Sequence, residues 1–225
     1  MTTYVLIPGA GAGPWSWHLL ADELRRRGRQ VVAVDLPCED DEAGLAEYAD
    51  TVVRAVGDQR ELVLVAHSFG GFTAPLVCDR LPVRLLVMLQ ALVPAPGETP
   101  GEWWANTGHA AARQAEDERG DWDPDDTTAL FLHDTPPEVA AELLRRGREQ
   151  SATPFQKPWP LAAWPTVPTR VLLARDDRFL PVDFMRRVVR ERLGITPDEM
   201  PGDHCPMLGH PVELADRLEA YTSAL

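Results

Sequence analysis

Short apolar runs recur along the chain, and turn-forming residues separate them. Within each run polar and apolar positions do not alternate, and aliphatic residues predominate. This pattern is typical of strands that are buried on both faces of a sheet. We predict five such strands, at residues 4–7, 31–34, 62–65, 85–89 and 170–174. Residues 196–200 follow at the place of a sixth strand, although their strand propensity is poor.

Segments with helical periodicity lie between these runs. Apolar residues recur in them at spacings of three and four, which is the pattern of a helix with one buried face. We predict helices at residues 17–27, 45–56, 72–81, 184–193 and 212–218. Strands and helices that alternate in this way form a mostly parallel sheet with helices on both faces. The sequence therefore predicts a doubly wound α/β fold.

The alternation stops between residues 94 and 168, where prolines, acidic residues and five of the chain's seven tryptophans crowd together. One helix is predicted there, at residues 137–148, because Thr135 and the prolines after it are typical of a helix start. We predict a single structural domain with a core of residues 1–93 and 169–225, into which residues 94–168 are inserted. The insertion is either a lid over the carboxyl ends of the strands, where such sheets bind ligands, or a loop-rich addition that packs on itself.

A serine lies in a tight turn between the third predicted strand and the next helix. Residues 65–71 read Val-Ala-His-Ser-Phe-Gly-Gly, a degenerate nucleophile elbow with Ala66 in place of the usual first glycine. The turn strains the serine backbone, so the residues two positions from Ser68 must be small, as Ala66 and Gly70 are. The helix beyond directs N–H groups and its positive dipole end toward an anion at the serine. The alternative is a serine that only caps the helix or forms the turn.

Acidic residues and a histidine follow the serine in the order that a Ser-Asp-His triad takes on this fold. Asp176 and Asp177 come directly after the fifth strand, and His204 lies in a loop after the poor sixth strand. A serine hydroxyl is a poor nucleophile at neutral pH, so it needs a histidine to accept its proton and a carboxylate to orient the imidazole. We predict His204 as the base. His67 precedes the serine, but strand alternation directs its side chain away.

A glycine-rich loop follows the first strand. Residues 9–13 read Gly-Ala-Gly-Ala-Gly, and these glycines let the backbone pass close to the serine. We predict an oxyanion hole formed by the backbone N–H groups of Ala10 and Phe69, which stabilise the negative charge of a tetrahedral intermediate. The same run begins like a dinucleotide-binding fingerprint. Pro14 stands where that fingerprint needs its third glycine, so we expect neither NAD nor another cofactor.

With these segments in place, the chain resembles the α/β-hydrolase superfamily. Within it, the resemblance is to the small plant-type methylesterase and hydroxynitrile lyase group and its bacterial esterase relatives. Residues 9–17 are similar to that group's HG-x-x-x-G-x-W-x-W loop, with Pro8 in place of the histidine. Residues 66–71 are similar to its G-H-S-x-G-G elbow. The resemblance covers nearly the whole chain and is weakest in the insertion.

Two further segments carry the resemblance. Residues 177–181 resemble the group's D-x-x-x-P segment, and this register favours Asp177 as the triad acid. Residues 202–204 are similar to its G-x-D-H segment with one spacer fewer. Lyase members place a threonine after the loop histidine and a lysine directly after the catalytic histidine, and this chain has Gly9 and Cys205 there. The resemblance therefore implies ester hydrolysis rather than cyanohydrin cleavage.

Composition and charge narrow the classes of partner. The 225 residues carry a formal net charge of −13, which argues against nucleic acid or an anionic membrane as a partner. Cys38, Cys78 and Cys205 are odd in number and widely spaced, so we predict neither disulfides nor a metal site. There is no secretory signal pattern and no apolar run long enough to span a membrane, so we expect a cytoplasmic protein. The sequence sets no oligomeric state.

These features predict a serine carboxylesterase that acts on a small, largely apolar ester through the triad. Gly9, Trp104, Phe131 and Phe155 are predicted to contact the substrate, and packing within the insertion explains the three aromatic residues equally well. One alternative is C–C bond cleavage by a hydrolase or lyase, or a cofactor-free oxygenation, in the same pocket. Another is a non-catalytic small-molecule binding protein on a hydrolase scaffold.

Overall fold

Six parallel strands form the centre of the fold, in a computed structural model that describes residues 2–225. The strands are β1 (Thr3–Ile7), β2 (Gln30–Ala33), β3 (Leu62–His67), β4 (Val83–Leu89), β5 (Thr169–Ala174) and β6 (Asp198–Met200). Their order in the sheet is β2-β1-β3-β4-β5-β6, and every neighbouring pair is parallel. The chain adds strands on one side of β1 and then on the other, which places a ligand-binding switch point between β1 and β3. The predicted doubly wound α/β fold is confirmed.

Helices cover both faces of this sheet. They are α1 (His18–Arg26), α2 (Leu45–Val56), α3 (Gly70–Thr73), α4 (Pro100–Thr107), α5 (His109–Asp117), α6 (Thr127–Phe131), α7 (Pro137–Arg145), α8 (Val182–Leu193), α9 (Pro206–Gly209) and α10 (Pro211–Ser223). Short 3₁₀ helices span Pro14–Trp17, Ala74–Val77 and Thr153–Phe155. Among residues 2–225, no helix is both long enough and apolar enough to cross a membrane.

Successive residues of the central strands face two hydrophobic cores, one on each side of the sheet. Leu64 of β3 packs in the core formed with α2 and α8. Its neighbours Val63 and Val65 pack in the core formed with α1 and α10. Because both faces are buried, the strands are apolar throughout, and this is why their sequence does not alternate.

Two predicted helices differ from the structure. The helix expected at residues 72–81 is wrong: α3 begins at Gly70 and ends at Thr73, and the 3₁₀ helix Ala74–Val77 follows. Pro75 explains the change, because proline has no N–H for a helical hydrogen bond and its ring collides with the preceding turn. The helix expected at 137–148 is found as α7, which ends at Arg145.

The segment between β4 and β5 contains α4 to α7, where the sequence predicted a single helix. The start of α4 is a capping box, in which Thr99 Oγ1 accepts a hydrogen bond from the N–H of Glu102 at 3.1 Å and the Glu102 carboxylate accepts one from the N–H of Thr99 at 2.9 Å. The Thr-x-x-Glu spacing of this box is present in the sequence and could have been used to predict the start of α4. The insertion boundaries at 94 and 168, and the role as a lid, stay predictions.

Candidate active site

Ser68 lies in a turn whose backbone conformation and close packing restrict the residues that can form it. It follows β3 and has a φ of 51°, in the left-handed region that residues other than glycine rarely adopt. The turn also leaves no room for a side chain at positions 70 and 71. A Cβ at Gly70 would lie 2.8 Å from the carbonyl oxygen of Ile7, and one at Gly71 would lie 2.0 Å from that of Leu92. The strained turn directs the partly exposed Ser68 into a cavity at the carboxyl edge of the sheet.

The three residues predicted as a triad lie in hydrogen-bonding contact. Nε2 of His204 is 3.1 Å from Oγ of Ser68, and Nδ1 of His204 is 2.6 Å from Oδ2 of Asp177. The side chains of His204 and Asp177 are 6% and 0% exposed. A carboxylate in this position holds the imidazole as the tautomer with its proton on Nδ1, which leaves Nε2 able to accept the serine proton.

The neighbouring carboxylate of Asp176 has a different partner. Its Oδ2 accepts a hydrogen bond from the N–H of Gly202 at 3.1 Å, and the residue is exposed. Asp177 instead is buried, and its Oδ1 accepts hydrogen bonds from the N–H groups of Phe179 and Leu180 at 2.8 and 3.0 Å. Of the two adjacent aspartates, Asp177 is therefore the one that contacts the histidine.

Sequence reasoning missed Gln90, which also contacts the Asp177 carboxylate. Gln90 is the first residue after β4, and its Nε2 donates to Asp177 Oδ2 at 2.6 Å. It is completely buried and has a φ of 44°. The available signal was a single polar residue at the carboxyl end of the otherwise apolar run 85–89.

His67 lies beside the histidine of the site, a contact that sequence reasoning missed. Its Nε2 is 2.7 Å from the carbonyl oxygen of His204, and the two rings are 4.8 Å apart. Burial, and then the neighbouring His204, lower the pKa of His67 to about 3. His67 is therefore neutral, and its Nε2–H donates to the His204 loop. Alternation does keep His67 off Ser68, but the His204 loop returns to the side of the sheet on which His67 lies.

The glycine loop after β1 passes directly beside the serine. A Cβ at Gly9 would lie 2.9 Å from the Cβ of Ser68, so this close approach requires glycine. Within residues 2–225, the backbone N–H groups of Ala10 and Phe69 donate to no protein acceptor. Both are thus available to an oxyanion, and their role as its donors stays a prediction.

The cavity at Ser68 has a volume of about 700 Å³. All four residues predicted to contact substrate line it: Gly9, Trp104, Phe131 and Phe155. The ring of Phe131 lies 5.4 Å from that of His204, and the ring of Phe155 stacks on Phe69 at 4.4 Å. Three of these four residues are aromatic, and the insertion supplies all three.

A buried aspartate joins the insertion to the His204 loop. Asp203 is completely buried, and its Oδ2 accepts hydrogen bonds from the hydroxyl of Thr135 at 2.9 Å and from the N–H of Asp134 at 3.0 Å. Its Oδ1 accepts the N–H of Cys205 at 2.8 Å. The position of His204 thus depends on the chain that leads into α7, a connection that sequence reasoning missed.

Cys205 also faces the cavity, directly after the histidine. Burial, and then the negative charges of Asp203 and Asp177, raise the pKa of the Cys205 thiol well above its usual range. The side chain is therefore neutral. Within the described residues 2–225, no group of three or more His, Cys, Asp and Glu side chains is arranged to hold a metal ion.

The fold and the site together define a class of protein. The model of the alpha/beta hydrolase family matches residues 4–217, and the chain belongs to this family. The predicted family and fold are thereby confirmed.

Individual relatives extend this assignment. A protein of Oryza sativa named Probable esterase PIR7A is 29% identical and aligns with 96% of this chain and 94% of its own. Methyl jasmonate esterase 1 of Vitis vinifera is 23% identical, over 96% and 95% of the two chains. The structure of an extracellular alpha/beta-hydrolase from a Paenibacillus species superposes with a TM-score of 0.81 at 20% identity, covering 98% of both chains. The family and these esterases support the prediction of an ester hydrolase.

Proposed function

We propose that the protein is a carboxylesterase that hydrolyses small, largely apolar esters through Ser68, His204 and Asp177. Oγ of Ser68 attacks the carbonyl carbon of the ester while its proton passes to Nε2 of His204. The N–H groups of Ala10 and Phe69 stabilise the resulting oxyanion. The intermediate collapses, His204 returns the proton to the departing alcohol, and the acyl group stays on the serine. Water then adds by the same route and releases the acid.

The observation that carries this proposal is the continuous contact from Asp177 through His204 to Ser68 inside a largely apolar cavity. The two distances of 2.6 and 3.1 Å are those of a general base held in place for a serine nucleophile. A binding protein has no need of this arrangement. Relatives that are named esterases support the reaction class.

Cavity size and lining support the substrate class. A volume of about 700 Å³ is within the range of pockets that enclose small molecules. Aromatic walls from Trp104, Phe131 and Phe155 favour an uncharged substrate with apolar groups, because an ionised group would lose its hydration there. We propose that residues 94–168 act as the lid that provides these walls.

Cyanohydrin cleavage is the less favoured alternative. It would need a positive charge beside His204 to stabilise a cyanide anion, and the neutral, buried thiol of Cys205 occupies that place. Ester cleavage requires no such charge, because its leaving alcohol is neutralised by the proton from His204.

The test is a screen of p-nitrophenyl and methyl esters of increasing acyl length with the wild-type protein and Ser68→Ala. We expect wild-type turnover that Ser68→Ala reduces by about 10⁴-fold or more. A fluorophosphonate probe should also label the wild type at Ser68. Full esterase activity in Ser68→Ala would disprove the mechanism, and a folded wild-type protein without labelling would favour the binding protein.

A further inference from the structure

Gln90 occupies a place in the fold where a glutamine has no evident packing role. It follows β4 directly, and its side chain points along the carboxyl edge of the sheet toward the loop after β5. Its Nε2 donates to the carbonyl oxygen of Leu180 at 2.8 Å as well as to Asp177. Its Oε1 accepts the N–H of Ala174 at 2.9 Å. Both N–H groups of this buried amide are therefore engaged, and its oxygen accepts one hydrogen bond.

The contact with Asp177 is the shortest of these three bonds and falls on a particular oxygen. Oδ2 of Asp177 accepts both the amide of Gln90 and Nδ1 of His204, each at 2.6 Å. Oδ1 is held by two N–H groups of the same loop. Within residues 2–225, only two groups outside this loop bond the Asp177 carboxylate. They are the imidazole of His204 and the amide of Gln90.

We propose that Gln90 is a positioning residue for ester hydrolysis, one that orients the Asp177 carboxylate and shares its negative charge with His204. The inference depends on the proposed function, because it assigns a role relative to that triad. Hydrogen bonds to a carboxylate are strong and stabilise its ionised form. The left-handed φ of 44° supports a role beyond packing, since such strain persists where surrounding structure enforces it and is common at functional sites.

Removal of the Gln90 donor has a predictable electrostatic direction. With one hydrogen bond fewer, the carboxylate carries more uncompensated charge and stabilises the protonated imidazole more strongly. The acid limb of the pH profile reports proton binding by the Asp177–His204 pair as a unit. This limb should therefore move to higher pH, whereas loss of packing alone would lower activity or stability without moving it.

Other charged and titratable groups face this pair from the surrounding elements. They are His67 at the end of β3, Asp203 and Cys205 on the loop of His204, and His109 and Arg113 on α5. None of them is altered in the variants below, so their effect on the pair is common to every protein compared.

Two substitutions separate the donor from the rest of the side chain. Gln90→Glu keeps the shape and an oxygen that can accept the N–H of Ala174, and it replaces only the donor with a second carboxyl oxygen. Gln90→Met keeps the length and removes both polar groups. The matched control is Thr107→Val, which removes another buried donor, to the carbonyl oxygen of Trp103 at 2.7 Å, away from the triad.

The experiment measures kcat/KM against pH for the three variants and the wild type. We expect the acid limb to move up by about one pH unit in Gln90→Met and further in Gln90→Glu, in which two carboxyl groups share a proton. We also expect kcat/KM above the limb to fall about tenfold. Thr107→Val should leave the limb in place. An unmoved limb in folded Gln90→Met would overturn the proposal, because the carboxyl group of Gln90→Glu adds a charge of its own beside the pair.

A second readout needs neither turnover nor a variant. In wild-type protein labelled with ¹⁵N-glutamine, the side-chain amide resonance of Gln90 should shift with pH as the Asp177–His204 pair titrates. A resonance that does not respond would overturn the proposal even if both Gln90 variants fail to fold. If no ester is hydrolysed, the proposed function fails, and this titration still decides whether Gln90 shares the charge of Asp177.

Discussion

The loops that hold Ser68, Asp177 and His204 differ sharply from the segment that covers them. Each of these loops follows a parallel strand, and the side chains of Ser68, His204 and Asp177 are bonded to one another there. The insertion, in contrast, contacts the core through aromatic side chains and through a few ion pairs and hydrogen bonds. The comparison leads us to expect that the sheet edge carries the chemistry and that the insertion selects the substrate, and the predictions below test both expectations.

One connection between the insertion and the core is a largely buried ion pair at the start of the insertion. Nη1 and Nη2 of Arg192 bond the carboxylate of Glu98, at 2.6 and 2.7 Å, and Nη1 also donates to the carbonyl oxygen of Val93. At the other end of the insertion, Gln150 accepts the N–H of Gly11 at 3.1 Å. The insertion is thus fastened both to α8 and to the glycine loop beside Ser68.

The largest expected effect tests the role given to the sheet edge. His204→Ala should lower kcat by about 10⁴- to 10⁶-fold with little change in KM, because the base acts in the transition state. His210→Ala is the matched control, since His210 bonds Asp134 of the insertion at 2.6 Å. Steady-state kinetics on one ester should find its kcat within about threefold of wild type. A comparable loss of kcat in both variants would show that the sheet edge and the insertion do not differ in their importance for catalysis.

The next effect concerns the ion pair between Arg192 and Glu98. Arg192→Met leaves the buried carboxylate of Glu98 without its partner and should destabilise the protein by about 3 kcal/mol. Urea denaturation measures this change, and Arg80→Met, which breaks an exposed pair with Asp50, should cost no more than about 0.5 kcal/mol. Activity per folded molecule of Arg192→Met should stay near wild type. A large loss of kcat would show that this ion pair also orients the catalytic groups.

A pH effect distinguishes the buried histidine of the core. His67 is neutral when folded because its pKa is lowered to about 3, whereas the unfolded chain takes up the proton near pH 6.5. This part of the stability is therefore present above pH 6.5 and is lost as the pH falls toward 3, amounting to about 2 kcal/mol by pH 5. His67→Gln retains an amide donor and cannot titrate, so its unfolding free energy should fall less between pH 7 and 5. Parallel curves for the two proteins would refute the assignment.

The smallest effect tests selectivity by the insertion. Trp104→Ala removes an aromatic ring from the cavity wall and so enlarges the cavity. It should change the ratio of kcat/KM between bulky and small acyl esters about tenfold in favour of the bulky ones. Trp164→Ala is the control, because Trp164 packs against Trp159 and does not line the cavity. If both variants kept the wild-type ratio, the insertion would not select the substrate.

Most of the fold could be predicted because its signals are local. Each buried strand was recognisable from a few consecutive apolar residues, and the bounds of β1 to β5 lie within two residues of the predicted ones. Predictions failed where a single residue changes a local pattern. Pro75 divides the helix after Ser68, and the capping box at Thr99 begins a helix in a segment that composition marked as irregular.

The site shows the same division. Ser68, Asp177 and His204 could be proposed because each follows a strand and matches a short motif. Gln90 and Asp203 could not, because their partners lie 87 and 68 residues away. No spacing in a linear sequence indicates that such residues will meet.

By itself, the sequence determined the order of the strands, the turn that exposes Ser68 and the glycines that pass beside it. These depend on backbone conformation and on side-chain size within a few residues. The tertiary structure alone decided that His67 and Gln90 contact the loop and the carboxylate of the pair and that Asp203 joins the His204 loop to the insertion. Such choices depend on which strand ends lie side by side and on how deeply each polar group is buried, and those are properties of the packed molecule.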